Sequence, residues 1–220
     1  MSAFLAPIHT WLFSKILLAE DLETNLKKVY IDKYKGNAID IAQKSLAYGS
    51  PIDTTKNVED IIDVSNIHGW LQDKIGKVET RMAFIITEMI NKYGKEAEVI
   101  ANACFHQQGK TVGEILRAKE MPGKPEEVFN AINNYLLEGM PCDRVTRPIK
   151  SEDDIFEWET TSCIHKNYWE AVNGDVNIFY ELRHTWTKAF IENSNGEYTY
   201  NFIKSLEHND IIGVNQIIRK

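Results

Sequence analysis

The sequence predicts an α+β protein, mostly a helical bundle packed on a small antiparallel sheet in the C-terminal third. Apolar residues recur at helical spacing through the first two-thirds of the chain. After Met140-Pro141 the pattern changes to alternating β-branched and aromatic runs broken by turn residues. Helices precede strands without the β–α alternation that builds a parallel sheet. The expected division is an N-terminal helical arm over residues 1–65 and an α+β core over 66–220.

Residues 6–18 place Ile8, Trp11, Leu12 and Ile16 on one broad face, and a second helix with weaker periodicity follows over 21–34. A short helix over 38–46 ends at Tyr48-Gly49-Ser50-Pro51, and residues 53–63 read as a loop with a helical turn. Asn66 then opens the longest helix. Its residues Leu71, Ile75, Val78, Met82, Ile85 and Met89 alternate spacings of four and three, the seam of a bundle or coiled-coil-like pair. That seam predicts a homodimer through the helix at 66–93. Gly94 reads as a helix stop. The next helix, 95–107, has a small-residue face at Ala97, Ala101 and Cys104 and closes at Gly109. Thr111-Val112-Gly113-Glu114 has the capping-box pattern of a new helix start. A further helix starts at Pro125 and ends at Gly139.

Residues 143–149 and 155–161 predict a hairpin around Ser151-Glu152-Asp153-Asp154. Cys163-Ile164-His165 ends its second strand and leads into a short helix over 166–172. A longer helix over 176–192 carries Phe179, Leu182, Trp186 and Phe190 on one face, which leaves His184 on a solvent-exposed flank beside Tyr180. Asn195-Gly196 is a turn dipeptide before a strand at 197–204, and residues 211–218 are read as the closing strand.

The 220 residues, 43% hydrophobic and 26% charged, are ordinary for a globular protein able to bury a sizeable core. A net charge of −7, with no local Lys/Arg cluster, argues against nucleic acid as a partner. Three scattered cysteines, Cys104, Cys142 and Cys163, do not make a disulfide framework, and the expected setting is a reducing cytoplasm. The N-terminus lacks a basic region and a small-residue cleavage site, and no apolar run is long enough to span a membrane, so neither a signal peptide nor a membrane partner is expected.

One local repeat stands out. Ile8-His9-Thr10-Trp11-Leu12-Phe13-Ser14-Lys15-Ile16 recurs as Ile67-His68-Gly69-Trp70-Leu71-Gln72-Asp73-Lys74-Ile75, with six of nine positions identical. Each copy puts a His at or before the first turn of a helix, two residues ahead of a Trp. Either these histidines cap their helices while the Trp rings pack inside, or His9 and His68 face one ligand with Trp11 and Trp70 as apolar walls.

The densest group of reactive residues lies between Cys163 and His184. A thiolate at Cys163 with the His165 imidazole beside it has the makings of a nucleophile and base; a small buried cysteine next to a surface histidine is the bland alternative. Arg183 borders an aromatic face and suits a bidentate carboxylate clamp, or else a structural ion pair with Glu170, Asp175 or Glu181. Tyr168 is grouped with the ligand-contacting residues. A metal would draw on Cys142, Cys163 and His165, with His9 and His68 as further donors for a metal or haem sensor or carrier, although the usual ligand spacings are absent. Gly-rich phosphate loops and the G-x-S-x-G elbow are also absent, which disfavours nucleotide-dependent and serine-hydrolase chemistry.

The run Ala83-Phe84-Ile85-Ile86, then Tyr93-Gly94-Lys95-Glu96-Ala97-Glu98-Val99-Ile100, Gln108-Gly109 and Gly113 resembles the helical part of the L-2-amino-thiazoline-4-carboxylate hydrolase family. The order that follows is also similar: Phe156-Glu157-Trp158-Glu159-Thr160-Thr161-Ser162-Cys163, a helical stretch, then Tyr198-Thr199-Tyr200-Asn201-Phe202. The resemblance covers the C-terminal two-thirds. It implies an α+β fold and ring-opening hydrolysis of a small cyclic amino acid, with Cys163 in the place of the family's strand-end cysteine. The family's Cys-Pro is Cys163-Ile164 here, and its closing Asp-x-Cys-x-Phe strand has no match. The functional expectation is a cytoplasmic small-molecule-binding protein. Hydrolysis through Cys163 and His165, a metal or haem carrier, and a structural dimerising protein without catalysis are its alternatives; the cofactor is unknown. The early histidines and the late thiol–imidazole group are expected to line a common cavity.

Overall fold

Helices run from Pro7 to Ile132 and strands begin at Thr146, the order of an α+β fold. The computed structural model describes residues 6–56, 58–204 and 213–220. The chain divides into two compact units: residues 1–101 with 167–175, and residues 102–166 with 176–220. This division does not fall at residue 65.

In the first unit, α1 (Pro7–Tyr34) is one helix of 28 residues where two were expected. The apolar stripe is interrupted by Glu20 and Glu23, yet both carboxylates are buried with it, so the helix continues to Leu26 and Tyr30. The chain then forms α2 (Gly36–Ser45), a 3-10 turn at Leu46–Tyr48 and the single turn α3 (Val58–Ile61). Asn66 caps α4 (Ile67–Tyr93) by accepting a bond from the Gly69 amide at 3.0 Å. At 27 residues α4 is one shorter than α1. Gly94, with φ of 61°, separates it from α5 (Lys95–Lys119), which begins in the first unit and continues into the second.

Helices α1 and α4 lie side by side and parallel. His9 meets His68, Glu23 meets Arg81, and Tyr34 stacks on Tyr93, so partners are 58 or 59 residues apart along the whole length. The repeat is therefore much longer than nine residues. Aligning 8–42 with 67–101 adds Glu20 and Glu79, Ile31 and Ile90, Lys33-Tyr34 and Lys92-Tyr93, Ala38 and Ala97, and Ile41-Ala42 and Ile100-Ala101. Leu12 and Leu71, Ile16 and Ile75, and Ala38 and Ala97 are buried in both copies. Even the backbone break is shared, since Lys35 adopts φ 53°, ψ −126° where Gly94 has φ 61°, ψ −142°. The Tyr34 hydroxyl donates to Glu96, while Asn37, the counterpart of Glu96, donates to the Tyr93 hydroxyl. Such reciprocal exchange is the mark of a two-fold contact, here internal to one chain.

All six seam residues of α4 are buried within this chain. The face expected to join two copies is thus covered intramolecularly, which withdraws the argument for a homodimer through it.

The second unit holds a four-stranded antiparallel sheet, ordered β1 (Thr146–Ser151), β2 (Ile155–Thr160), β4 (Gly213–Arg219), β3 (Tyr198–Lys204). Of the expected closing strand, residues 211 and 212 lie outside the described residues. Alternation puts Phe156, Trp158, Tyr198, Tyr200, Asn215 and Ile217 on the inward face. Helix α6 (Pro125–Ile132) covers part of it, with Phe129 stacked on Phe156 at 4.6 Å. The α6 helix stops well short of Gly139. The short α7 (Lys166–Glu170), of which all but Lys166 belongs to the first unit, precedes α8 (Val176–Ser194), which packs on β3 in the second.

Gly109 does not end a helix and Thr111 does not start one; α5 runs through both. A Cβ at Gly109 would collide with the Trp186 carbonyl oxygen, and one at Gly113 would lie 2.5 Å from that of Phe190. These glycines let the α5 and α8 backbones touch, a gain in close packing that offsets their poor helix propensity. Trp186 Nε1 donates to Gln108 Oε1 at 3.1 Å across the same contact.

Candidate functional site

The expected site residues fall into two sets. His9, His68, Trp11, Trp70 and Tyr168 belong to the first unit; Cys142, Cys163, His165 and Arg183 belong to the second.

In the first unit the repeat brings its histidines together, Nε2 to Nε2 at 3.1 Å, with the rings edge to face. The tryptophans are covered by the lysine four residues on in each copy. Lys15 Nζ lies 4.1 Å from the Trp11 ring centre and Lys74 Nζ 5.2 Å from that of Trp70. A cation over each ring accounts for the shared Lys as well as the shared Trp. Tyr168 accepts a bond from Gln72 Nε2 at 3.0 Å.

In the second unit, β2 stops at Thr160, so Cys163 sits in the connection beyond the strand and not at its end; its thiol is half-exposed. His165 is 1% exposed, its ring 4.5 Å from Phe179 and its Nε2 3.8 Å from Glu138 Oε1. A histidine so enclosed packs the core, and a substrate cannot reach it in this conformation. Cys142 is exposed, and burial pushes the Cys104 thiol up to about 11. Among the described residues no three His, Cys, Asp or Glu side chains gather as a metal site, which removes the basis for a centre at Cys142, Cys163 and His165.

Arg183 is buried and pairs with Glu138, and its Nη1 donates to the Leu137 carbonyl at 3.1 Å. Glu138 is not among the carboxylates expected for it. With one carboxylate already on the guanidinium, an incoming anion would have to displace Glu138.

Arg183 nevertheless lines a narrow cleft between helices and sheet, whose free space of about 30 Å³ holds about one water in this conformation. Phe129, Leu136 and Trp158 supply apolar wall; Thr160, His184, Tyr200 and Asn215 supply polar edge. Tyr200 donates to Asn215 Oδ1 at 2.7 Å, and Asn215 Nδ2 donates to Thr160 Oγ1 at 3.2 Å, so these groups are held in fixed orientation. Burial raises the Tyr200 phenol well above its ordinary range.

His184 is the residue the sequence reading misplaced. Its ring lies 3.8 Å from Phe202 and 6.2 Å from Tyr200, half-buried in the cleft instead of on a solvent flank. Burial and then the Arg183 charge lower its pKa to about 4, so the imidazole is neutral at physiological pH. The inward alternation of Tyr200 and Asn215 was the available signal that α8 faces the sheet on this side as well.

No known protein family, curated protein or solved structure matches the chain. Among the described residues no helix is long and apolar enough to cross a membrane.

Proposed function

We propose that this protein binds a small, uncharged, flat molecule with polar edges in the cleft of its second unit. The observation that carries the reading is His184: a neutral imidazole at a cleft wall that makes no hydrogen bond to the described residues. Its ring nitrogens open on the cleft, where water or a ligand completes their hydrogen bonding. Trp158 and Tyr200 line the cleft as buried rings that a flat ligand meets when the cleft widens to admit it, and Asn215 and Thr160 flank it with fixed donors and acceptors. Arg183, matched by Glu138, contributes no net attraction for an anion, which favours a neutral ligand over the carboxylate first expected. Binding without catalysis fits this geometry better than thiol hydrolysis, because the His165 ring is buried in the core.

The test is ligand-observed NMR with a panel of neutral heterocycles and a matching panel of small carboxylates, on the wild type and on His184→Phe, which fills the cleft. Heterocycles that bind the wild type and not the variant support the reading. Equal binding to both proteins, no binding at millimolar concentration, or preference for carboxylates overturns it.

A further inference from the structure

Independently of that cleft, we infer that His9 and His68 together form a binding site for a divalent transition-metal ion of the copper, nickel and zinc group. The two Nε2 atoms are 3.1 Å apart. Two imidazoles bound to one ion at about 2.0–2.1 Å with a near-tetrahedral or square angle have their nitrogens about 3.0–3.3 Å apart. The separation is that of an N–H···N hydrogen bond between the rings, and it is also that of a chelating pair. The ring centres are 5.2 Å apart; at a shared ion they would be about 4.8 Å apart. Tens of degrees of ring rotation turn the two lone pairs, now directed nearly at each other, toward a common point.

The surroundings make this more than a chance contact. Each histidine sits in the first turn of a long helix, α1 or α4, whose next turns are locked by buried Leu12 and Ile16 or Leu71 and Ile75. The backbone positions of the pair are thus set before any ion arrives, which lowers the ordering cost of binding. The internal two-fold relation places the same residue type on both sides of its axis, so a single ion there meets two equivalent donors. His68 is exposed, which leaves solvent access and room for water to complete the coordination.

Imidazole nitrogen selects copper, nickel or zinc over magnesium or calcium, which prefer oxygen. The Nδ1 of His9 is shielded and has no hydrogen-bond partner among the described residues. The carbonyl or carboxylate that usually supports a ligating histidine from behind is missing there, so the expected affinity is micromolar and not nanomolar.

Ni²⁺, which is redox-inert toward the thiols, is the probe. Calorimetric titration of the wild-type chain should give one ion per chain, and His9→Gln and His68→Gln should each weaken binding at least tenfold. His106→Gln, at an exposed helical histidine, should bind as the wild type does. In the wild type, paramagnetic Ni²⁺ should broaden the ring protons of His9 and His68 before those of His106, a readout that needs no variant to fold. Unchanged binding in His9→Gln or His68→Gln, no binding below millimolar Ni²⁺, or earlier broadening of His106 would sink the assignment.

Discussion

The two copies of the helical repeat share many apolar positions but differ where an arginine is buried between two carboxylates. The first copy has Leu22-Glu23; the second has Arg81-Met82 at the matching positions. Arg81 is fully buried. Its Nε donates to both Glu23 oxygens at 3.1 and 2.9 Å, its Nη2 to Glu20 at 2.7 Å and its Nη1 to the Gly49 carbonyl at 3.2 Å. Burial works against the guanidinium charge, but Glu23 and Glu20 outweigh it and hold the pKa above the ordinary value. Glu20 also accepts from the Ile52 amide at 2.9 Å. The comparison teaches that apolar matches bring the copies together, whereas one asymmetric ion cluster decides which helix plays which part.

Substitutions that make the copies alike test this. Arg81→Leu, which copies Leu22, leaves buried Glu23 with Lys27 and Glu20 with the Ile52 amide as their remaining partners and should lower unfolding free energy by about 3 kcal/mol; a urea midpoint within error of wild type would refute the role given to the cluster. The second unit supplies the contrasting case, a buried group that gives up its charge. An imidazole in the unfolded chain protonates near pH 6.5, whereas His184 does so at about 4. Below pH 6.5 the unfolded state therefore binds the proton first, and stability present at neutral pH drains away as pH falls toward 4. About 2 kcal/mol, after allowing for partial solvation, should be lost relative to His184→Leu between pH 7 and 4. A wild-type-minus-variant difference that does not change with pH would contradict the burial argument.

Smaller effects follow at the backbone break. Gly94→Lys, which copies Lys35, meets no neighbour within 4 Å, so its cost is conformational alone. It should be about 1–2 kcal/mol, measured as a shift in thermal midpoint. Tyr30→Met, which copies Met89, removes the bond from the Tyr30 hydroxyl to the Ala97 carbonyl at 2.8 Å and should cost about 1 kcal/mol in urea unfolding. Lys35→Gly relieves the same positive φ from the other side. Part of that gain is lost to the freer unfolded chain, which leaves a net stabilisation of about 0.5–1 kcal/mol. A fall in stability on Lys35→Gly would mean that the lysine side chain matters more than its backbone.

Much of the architecture was legible in the residues, and the failures share a physical cause. The α+β order, the hairpin around Glu152, the Asn66 cap and the Gly94 stop all rest on local chemistry and are present. The break expected inside α1 arose because Glu20 and Glu23 look like surface residues until Arg81 is known to face them. Gly109 and Gly113 looked like punctuation because the approach of α8 is not written near them. His184 was assigned to solvent because Phe179, Trp186 and Phe190 already account for one face of α8; that helix is covered on two sides, by α5 at the glycines and by β3 at Phe202. Of the candidate site, only Arg183 was named in advance among the residues of the cleft, since the rest converge from elements distant in sequence.

Parallel pairing of α1 with α4 also bears on how the chain reaches this state. Partners sit 58 or 59 residues apart, so α1 emerges from the ribosome with Leu12, Ile16 and Leu26 uncovered and only α2 near enough to shield them. The pairing must wait for synthesis to pass Tyr93, a non-local closure of the kind that slows folding and lengthens the exposure of apolar surface to chaperones.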